Sequence, residues 1–359
     1  MRARTLVSLA VLASTLACGK PPPTTPPSDD ESVSVTPADP VEHAAQLMHQ
    51  GKNEEALEVV EDALAQDPEN HELWFSKGVA LQATGDDAGA IAAWDKALEL
   101  EPGFVPALHG QAAVDLAAGR VDEAEVKLRK ILESDADFAD AHFNLGVIML
   151  GKGKTAEGIA SIENAHRLAP DDVEIMVQLA GLYSAMGKRD EALALTTKAV
   201  ELDPRNAKAQ ASHGWMLAQT GDHAGAAAAF ETAVGIDPND LEARLGLARA
   251  WTRTGKVAEA EAELAKLAEQ LPGAAQVYEE WGSALAKLGR FDDALAKLDK
   301  AIELQPKSVS AHVRRVAALS QAGKCAEAKA ASKGLKKLGA DPSALDAAAK
   351  AAAACKKGG

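Results

Sequence analysis

Aromatic side chains are scarce in this chain, at 4% of 359 residues, and cysteine occurs three times. So few cysteines cannot frame a disulfide-built miniature fold, and so few aromatic rings cannot floor a long sugar-stacking cleft. Positive charge is also in deficit, with 38 Lys and Arg against 53 Asp and Glu for a net −15. A phosphate backbone would be repelled by that surplus, which excludes general nucleic-acid binding. Catalytic signatures are missing as well. There is no GxSxG, no HExxH, and no phosphate-cradling glycine loop after a strand. The nine histidines are scattered without metal-ligand spacing, so neither metal nor cofactor is expected. Glu54-Glu55 and Asp292-Asp293 are paired carboxylates, yet each pair stands where a helix should begin, and the helix dipole accounts for it. Neighbours in a helix also face different ways, unlike an acid/base dyad. These absences argue against an enzyme and against a small-molecule substrate.

What is abundant is alanine, which carries much of the 47% hydrophobic content. Alanine is the strongest helix former and lets helices approach closely, so the chain reads as all-α. A strict period then fixes the architecture. Gly51, Gly85, Gly119, Gly153, Gly187, Gly221, Gly255, Gly289 and Gly323 are each 34 residues apart. A small residue follows each by five, from Ala56 to Ala328, and another precedes most by seven. Seventeen residues after the glycine stands Pro68, Pro102, Pro170, Pro204, Pro238, Pro272 or Pro306, with Ala136 and Ala340 as exceptions. The glycine suits a left-handed cap ending a first helix. Acidic residues after it open a second helix, and proline ends that helix because it lacks the amide the ladder needs.

These landmarks resemble the tetratricopeptide repeat family over about residues 37–340. Trp74, Gly78, Leu81, Ala90, Trp94, Ala97 and Pro102 carry the fullest match. Leu145, Gly146, Ala165 and Pro170 carry a second, and Leu179, Tyr183, Ala192, Ala199 and Pro204 a third. Departures fall at Ile131 and Ala136, at Leu267, and at Val316, Ser332, Leu335 and Ala340. The resemblance implies a right-handed superhelical solenoid of about nine helix-turn-helix repeats over residues 41–340. Repeats would start near 37, 71, 105, 139, 173, 207, 241, 275 and 309, with a capping helix and basic tail at 341–359.

Residues 1–17 read as an export signal, in which Arg2 and Arg4 precede an apolar run from Leu6 to Leu16. Ser14-Thr15-Leu16-Ala17-Cys18 resembles a bacterial lipobox with Thr15 in place of the usual leucine, which implies lipidation of Cys18. The alternative is a plain secretory signal whose cysteine is incidental. Residues 18–40, with Pro21, Pro22, Pro23, Pro26 and Pro27, form a proline-rich tether able to reach roughly 60 Å. The expected location is the bacterial envelope, anchored through the lipid alone on the periplasmic face of the outer membrane.

Cys325 should open the second helix of the ninth repeat and Cys355 should close the capping helix. If those helices run antiparallel, the two thiols lie side by side, and an oxidising periplasm would join them. Two reduced buried thiols are the alternative. From Lys324 to Gly359 the tail is net +5 against −20 for the remainder. It reads as a polar cap on the solenoid end, with contact to anionic lipid as the other option.

In the family the first helix of each repeat lines a concave surface that binds a protein or peptide. That rule places Phe75, Val79, His109, Phe143, Val147 and Leu150 along the N-terminal half of a groove. Trp215 comes next, and then a charged half with Arg249, Arg253, Glu279, Glu280 and Arg314. A carboxylate clamp of the family is not expected, because its asparagine places hold Val79, Ala113, Val147, Gly181, Trp215 and Arg249. The function implied is an interaction scaffold for envelope, secretion, pilus or cell-wall assembly. The competing reading is a module directed at carbohydrate or peptidoglycan.

Overall fold

The computed structural model describes residues 39–355. The signal segment, Cys18, most of the tether, and Lys356 and Lys357 lie outside the described residues. Every regular element described is helical. The chain forms two compact units, residues 1–170 and 171–359.

The N-terminal unit contains α1 (Pro40–His49), α2 (Asn53–Gln66), α3 (His71–Ala83), α4 (Asp87–Leu100), α5 (Val105–Ala117), α6 (Val121–Ser134), α7 (Ala139–Gly151) and α8 (Thr155–Leu168). The C-terminal unit contains α9 (Val173–Ala185), α10 (Arg189–Leu202), α11 (Ala207–Thr220), α12 (His223–Ile236), α13 (Leu241–Thr254), α14 (Val257–Gln270), α15 (Ala275–Lys287), α16 (Phe291–Leu304), α17 (Val309–Gln321), α18 (Cys325–Gly334) and α19 (Pro342–Ala353). Within each unit a helix packs on the next in a hairpin, and hairpins stack side by side.

The hairpin turn shows why the glycine recurs. Gly221 has φ +93°, a conformation in which a Cβ would clash with the backbone. It lets the Asp222 amide turn back to the Leu217 carbonyl at 3.0 Å and satisfy an otherwise unpaired helix-end acceptor. The Asp222 carboxylate then accepts from the Gly225 amide at 2.8 Å and caps α12. One residue thus closes one helix and opens the next. All nine period glycines share the positive φ.

Core packing inside the hairpins depends on a coupling of large to absent side chains. Trp94 is 1% exposed and Phe230 fully buried, at the same place in different repeats. Each lies 16 residues from one glycine before it and another after it. A Cβ on Gly78 would fall 2.2 Å from the Trp94 ring, and one on Gly110 would fall 2.8 Å from it. Gly214 and Gly246 stand in the same relation to Phe230, at 2.9 and 2.5 Å. Where the same place holds Leu128, Ile162, Leu264 or Leu298, the later position carries Asn144, Gln178, Glu280 or Arg314. Thr196 is the polar member of the series. It is fully buried, donates to the Leu193 carbonyl at 3.1 Å, and meets His213 Nδ1 at 3.1 Å.

Two departures from the repeat pattern are absorbed as core. Ile131 and Leu267, larger than the usual alanine, are both fully buried. The ninth repeat deviates more. α18 runs for ten residues and passes into a 3₁₀ turn, Leu335–Leu338, ended by Gly339 at φ +73° rather than by proline. α19 buries Ala348 and Ala352 in a cluster with Val316, Leu319 and Leu335. Ser320 Oγ donates to the Ala351 carbonyl at 2.6 Å. The segment is therefore a cap packed on the ninth repeat. Cys325 and Cys355 are disulfide-bonded with Cα atoms 5.5 Å apart, which ties the start of α18 to the residue beyond α19. No described helix is long and apolar enough to cross a membrane.

Candidate binding groove

In the N-terminal unit, the first helices of the hairpins direct their large residues into packing. Phe75 is half-buried, edge-on to Phe104 with ring centres 5.6 Å apart, and its carbonyl accepts from Trp94 Nε1 at 3.2 Å. Val79 packs on the cluster around Trp94. His109 meets the Phe138 ring at 5.3 Å. Burial holds its imidazole below the usual histidine range, opposed in part by the Asp140 charge.

The expectation that Phe143 and Leu150 line a groove needs correction. Phe143 is 8% exposed, and on the same helix Leu145, Ile148 and Met149 are buried too. α7 is apolar around most of its circumference, so its inner row sinks with the rest. Leu150 sits inside its own hairpin, because a Cβ on Gly158 would lie 2.7 Å from Leu150 Cγ. Val147 is half-buried.

The C-terminal unit differs. Trp215 on α11 is half-buried, edge-on to Phe230 at 5.1 Å, and carries the Arg249 guanidinium 5.3 Å over its ring. A pocket of about 170 Å3 opens beside it, floored by Phe230 and Gly246 and flanked by Ala218, Ala250, Arg249 and Arg253. Next to it lies a polar cleft of about 470 Å3, lined by Gln276, Gln305, Ser308 and Ser310 together with the ionic residues. Arg249 and Arg253 border both hollows.

The ionic residues of this cleft hold one another. Glu280, its side chain 5% exposed, accepts from Arg249 Nε at 2.8 Å. It also accepts from Arg314 Nη1 at 2.9 Å and Arg314 Nη2 at 3.0 Å. Arg314 Nε lies 2.9 Å from Glu279 Oε1, and Ser310 and Ser308 donate to the same carboxylate. Glu279, expected on the groove surface, lines this cleft but is only 8% exposed and is held by Arg314, Ser308 and Ser310. Arg253, one turn beyond Arg249 on α13, is exposed and has no ion pair or hydrogen bond among the described residues. Three guanidiniums thus face two carboxylates. Among the described residues no cluster of His, Cys, Asp and Glu could hold a metal ion.

Profiles of the tetratricopeptide repeat match residues 42–103, 177–240, 217–288 and 275–308, together more than half of the chain. The chain belongs to the tetratricopeptide repeat family. Residues 104–173 also match the profile of the coatomer epsilon subunit, yet Gly119 and Gly153 keep the tetratricopeptide register through that stretch. Protein FlbA of Caulobacter vibrioides is 37% identical over 81 residues, which is 23% of this chain and 14% of FlbA. The chain therefore matches only a small part of that relative. A tetratricopeptide repeat protein from Parabacteroides merdae superposes with TM-score 0.53 at 19% identity, covering 69% of this chain and 98% of that one. The Pseudomonas aeruginosa pilF structure gives 0.52 at 19% identity, covering 57% and 93%. At such identities these likenesses establish the fold alone.

Reading helices by family position located Trp215, Arg249 and Arg253 but missed the pocket itself. The 16-residue spacing of Gly214, Phe230 and Gly246 signals the ring packing, but Gly78, Trp94 and Gly110 share it, so it does not announce the pocket. Gln276, Gln305, Ser308 and Ser310 had no such signature. They matter only because α15 and α17 bring them beside the paired arginines.

Proposed function

We propose that this tetratricopeptide repeat protein is a lipid-anchored scaffold of the bacterial envelope, recruiting a partner protein through the cleft of its C-terminal unit. The observation that carries the reading is the adjoining pair of hollows at Trp215 and Arg253, apolar beside polar, on the first helices of consecutive hairpins. An apolar anchor pocket bordered by fixed polar groups suits a protein segment. The Ser14-to-Cys18 segment supports the anchor and the periplasmic-facing location. A carbohydrate-directed role has less support, because the face of Trp215 that a sugar would stack on carries Arg249.

The test places a photo-crosslinking residue at Gln219, exposed at the pocket mouth, in cells carrying the full chain. A reproducible protein adduct, together with loss from the membrane fraction on Cys18→Ser, is the expected result. No adduct, or protection by added wall fragments, would move the reading to the carbohydrate module. Membrane retention of Cys18→Ser would remove the lipid anchor.

A further inference from the structure

The geometry points to a specific partner chemistry for this cleft: a protein segment with one large apolar side chain flanked by carboxylates, the apolar group entering beside Trp215 and a carboxylate pairing with Arg253. The inference rests on the scaffold reading above and adds the nature of the partner.

Three observations converge on it. The hollow of about 170 Å3 has room for a single leucine- or phenylalanine-sized side chain, and its floor is apolar. Its rim is charged, and the charges are not balanced. Glu280 is engaged by both Arg249 and Arg314, and Glu279 is engaged by Arg314 and two serines. Rotating either glutamate to reach Arg253 would strip a buried contact from another arginine, and a deprived buried charge is costly. Arg253 is therefore left with its fork of donors facing the cleft. A planar guanidinium beside an apolar wall favours bidentate pairing with a carboxylate.

The chain as a whole is net −15. A long polyanion approaching this surface meets repulsion, whereas a short acidic segment feels chiefly the charges within a Debye length of about 8 Å. Local positive charge set in an acidic protein thus selects for brief acidic stretches and against nucleic acid or an anionic membrane. Gln276, Gln305 and Ser308 around the second hollow supply neutral donors and acceptors for the backbone of such a segment.

The test uses the full chain and a library of fluorescent heptapeptides with a central Phe, Leu or Gly flanked by Asp, Asn or Lys. Binding is read by anisotropy at low and at physiological salt. Peptides with Phe or Leu between aspartates are expected to bind about tenfold more tightly than their Asn counterparts. The advantage should shrink at higher salt. Arg253→Gln should remove that tenfold preference while leaving the Phe-over-Gly preference intact. Ala218→Leu, which narrows the pocket, should do the reverse, with circular dichroism confirming that both variants fold. Equal binding of Asp- and Asn-flanked peptides, preference for Lys, an undiminished preference in Arg253→Gln, or no binding by any peptide would overturn the proposal. The scaffold reading is judged separately by the Gln219 adduct. An adduct that persists in Arg253→Glu would leave the scaffold standing and this partner chemistry rejected.

Discussion

The two units obey one 34-residue plan and put the same inner positions to different uses. In the N-terminal unit those positions hold Phe75, Val79, Phe143 and Val147, all apolar and buried or half-buried. In the C-terminal unit the equivalent positions hold Trp215, Arg249 and Glu279, and the last two join Glu280 and Arg314 in a polar lining. The ion pairs differ as well. In the N-terminal unit Asp115 is closed by Arg120 and Lys127, and Glu125 by Arg129 and Lys152. In the C-terminal unit one set of pairs, Arg249 and Arg314 with Glu279 and Glu280, sits in the cleft, and Arg253 remains over. A repeat fold separates stability, carried by hairpin cores, from recognition, carried by whichever inner row is left polar.

The most forceful way to break the comparison is to empty a hairpin core in each unit. Trp94→Ala and Phe230→Ala each remove a fully enclosed ring from between two glycines, and such changes cost about 3–5 kcal/mol. Hydrogen exchange should show the loss mainly in α3–α6 for the first variant and in α11–α14 for the second. Equal loss throughout the chain in either variant would mean that the two units unfold as one. Next in size is the covalent tie at the C-terminal end. A Cys325→Ser, Cys355→Ser double variant should lose about 2–4 kcal/mol of local stability, seen as faster exchange in α17–α19 with α1–α8 unchanged. Titration of two reactive thiols in the denatured, unreduced wild type would show that the tie is absent.

The helices and their order were legible in the sequence because glycine, small residues and proline each obey a local backbone requirement. The site was legible only in part. Trp215, Arg249 and Arg253 could be placed by family position, but position alone cannot say whether a side chain is left facing solvent. Phe143 sank because α7 is apolar on several faces. Glu279 was withdrawn from the surface by Arg314 and Ser310, partners more than thirty residues away in sequence. Pairing across α15 and α17 is a tertiary property with no period to announce it. The Phe230–Gly246 coupling was written in the spacing, but a lone glycine inside a helix reads equally well as a close-packing device.

A finer probe sharpens the electrostatic half of the comparison. Glu280→Gln leaves Arg249 and Arg314 facing each other without their shared counter-charge. Both guanidiniums keep partial access to water, at 36% and 30% side-chain exposure, so the loss should be about 1–2 kcal/mol rather than that of a sealed pair. Glu125→Gln in the N-terminal unit should cost somewhat less, about 1 kcal/mol, because Arg129 is 54% exposed even though Lys152, at 33%, is about as shielded as Arg249 and Arg314. Urea denaturation monitored by circular dichroism compares the two. A larger loss for Glu125→Gln would invert the assignment of the buried ionic floor to the C-terminal unit.

The smallest expected effect concerns one histidine in each unit. Burial lowers the folded-state pKa of both His109 and His213, with Asp140 and Asp222 pulling the other way. A histidine whose folded pKa lies below its unfolded value of about 6.5 leaves the unfolded chain holding more protons as the solution acidifies. Stability contributed this way is complete above pH ~7, falls as pH drops through about 6.5, and levels off below the folded pKa. That decline lies above the carboxylate range, so a series of melts between pH 8 and pH 5.5 isolates it. His109→Gln should flatten the decline more than His213→Gln, because His109 is packed against Phe138 whereas the His213 ring borders the polar Thr196. Melting temperatures that rise on acidification over this interval would mean that the aspartates outweigh burial and that both imidazoles carry charge in the folded hairpins.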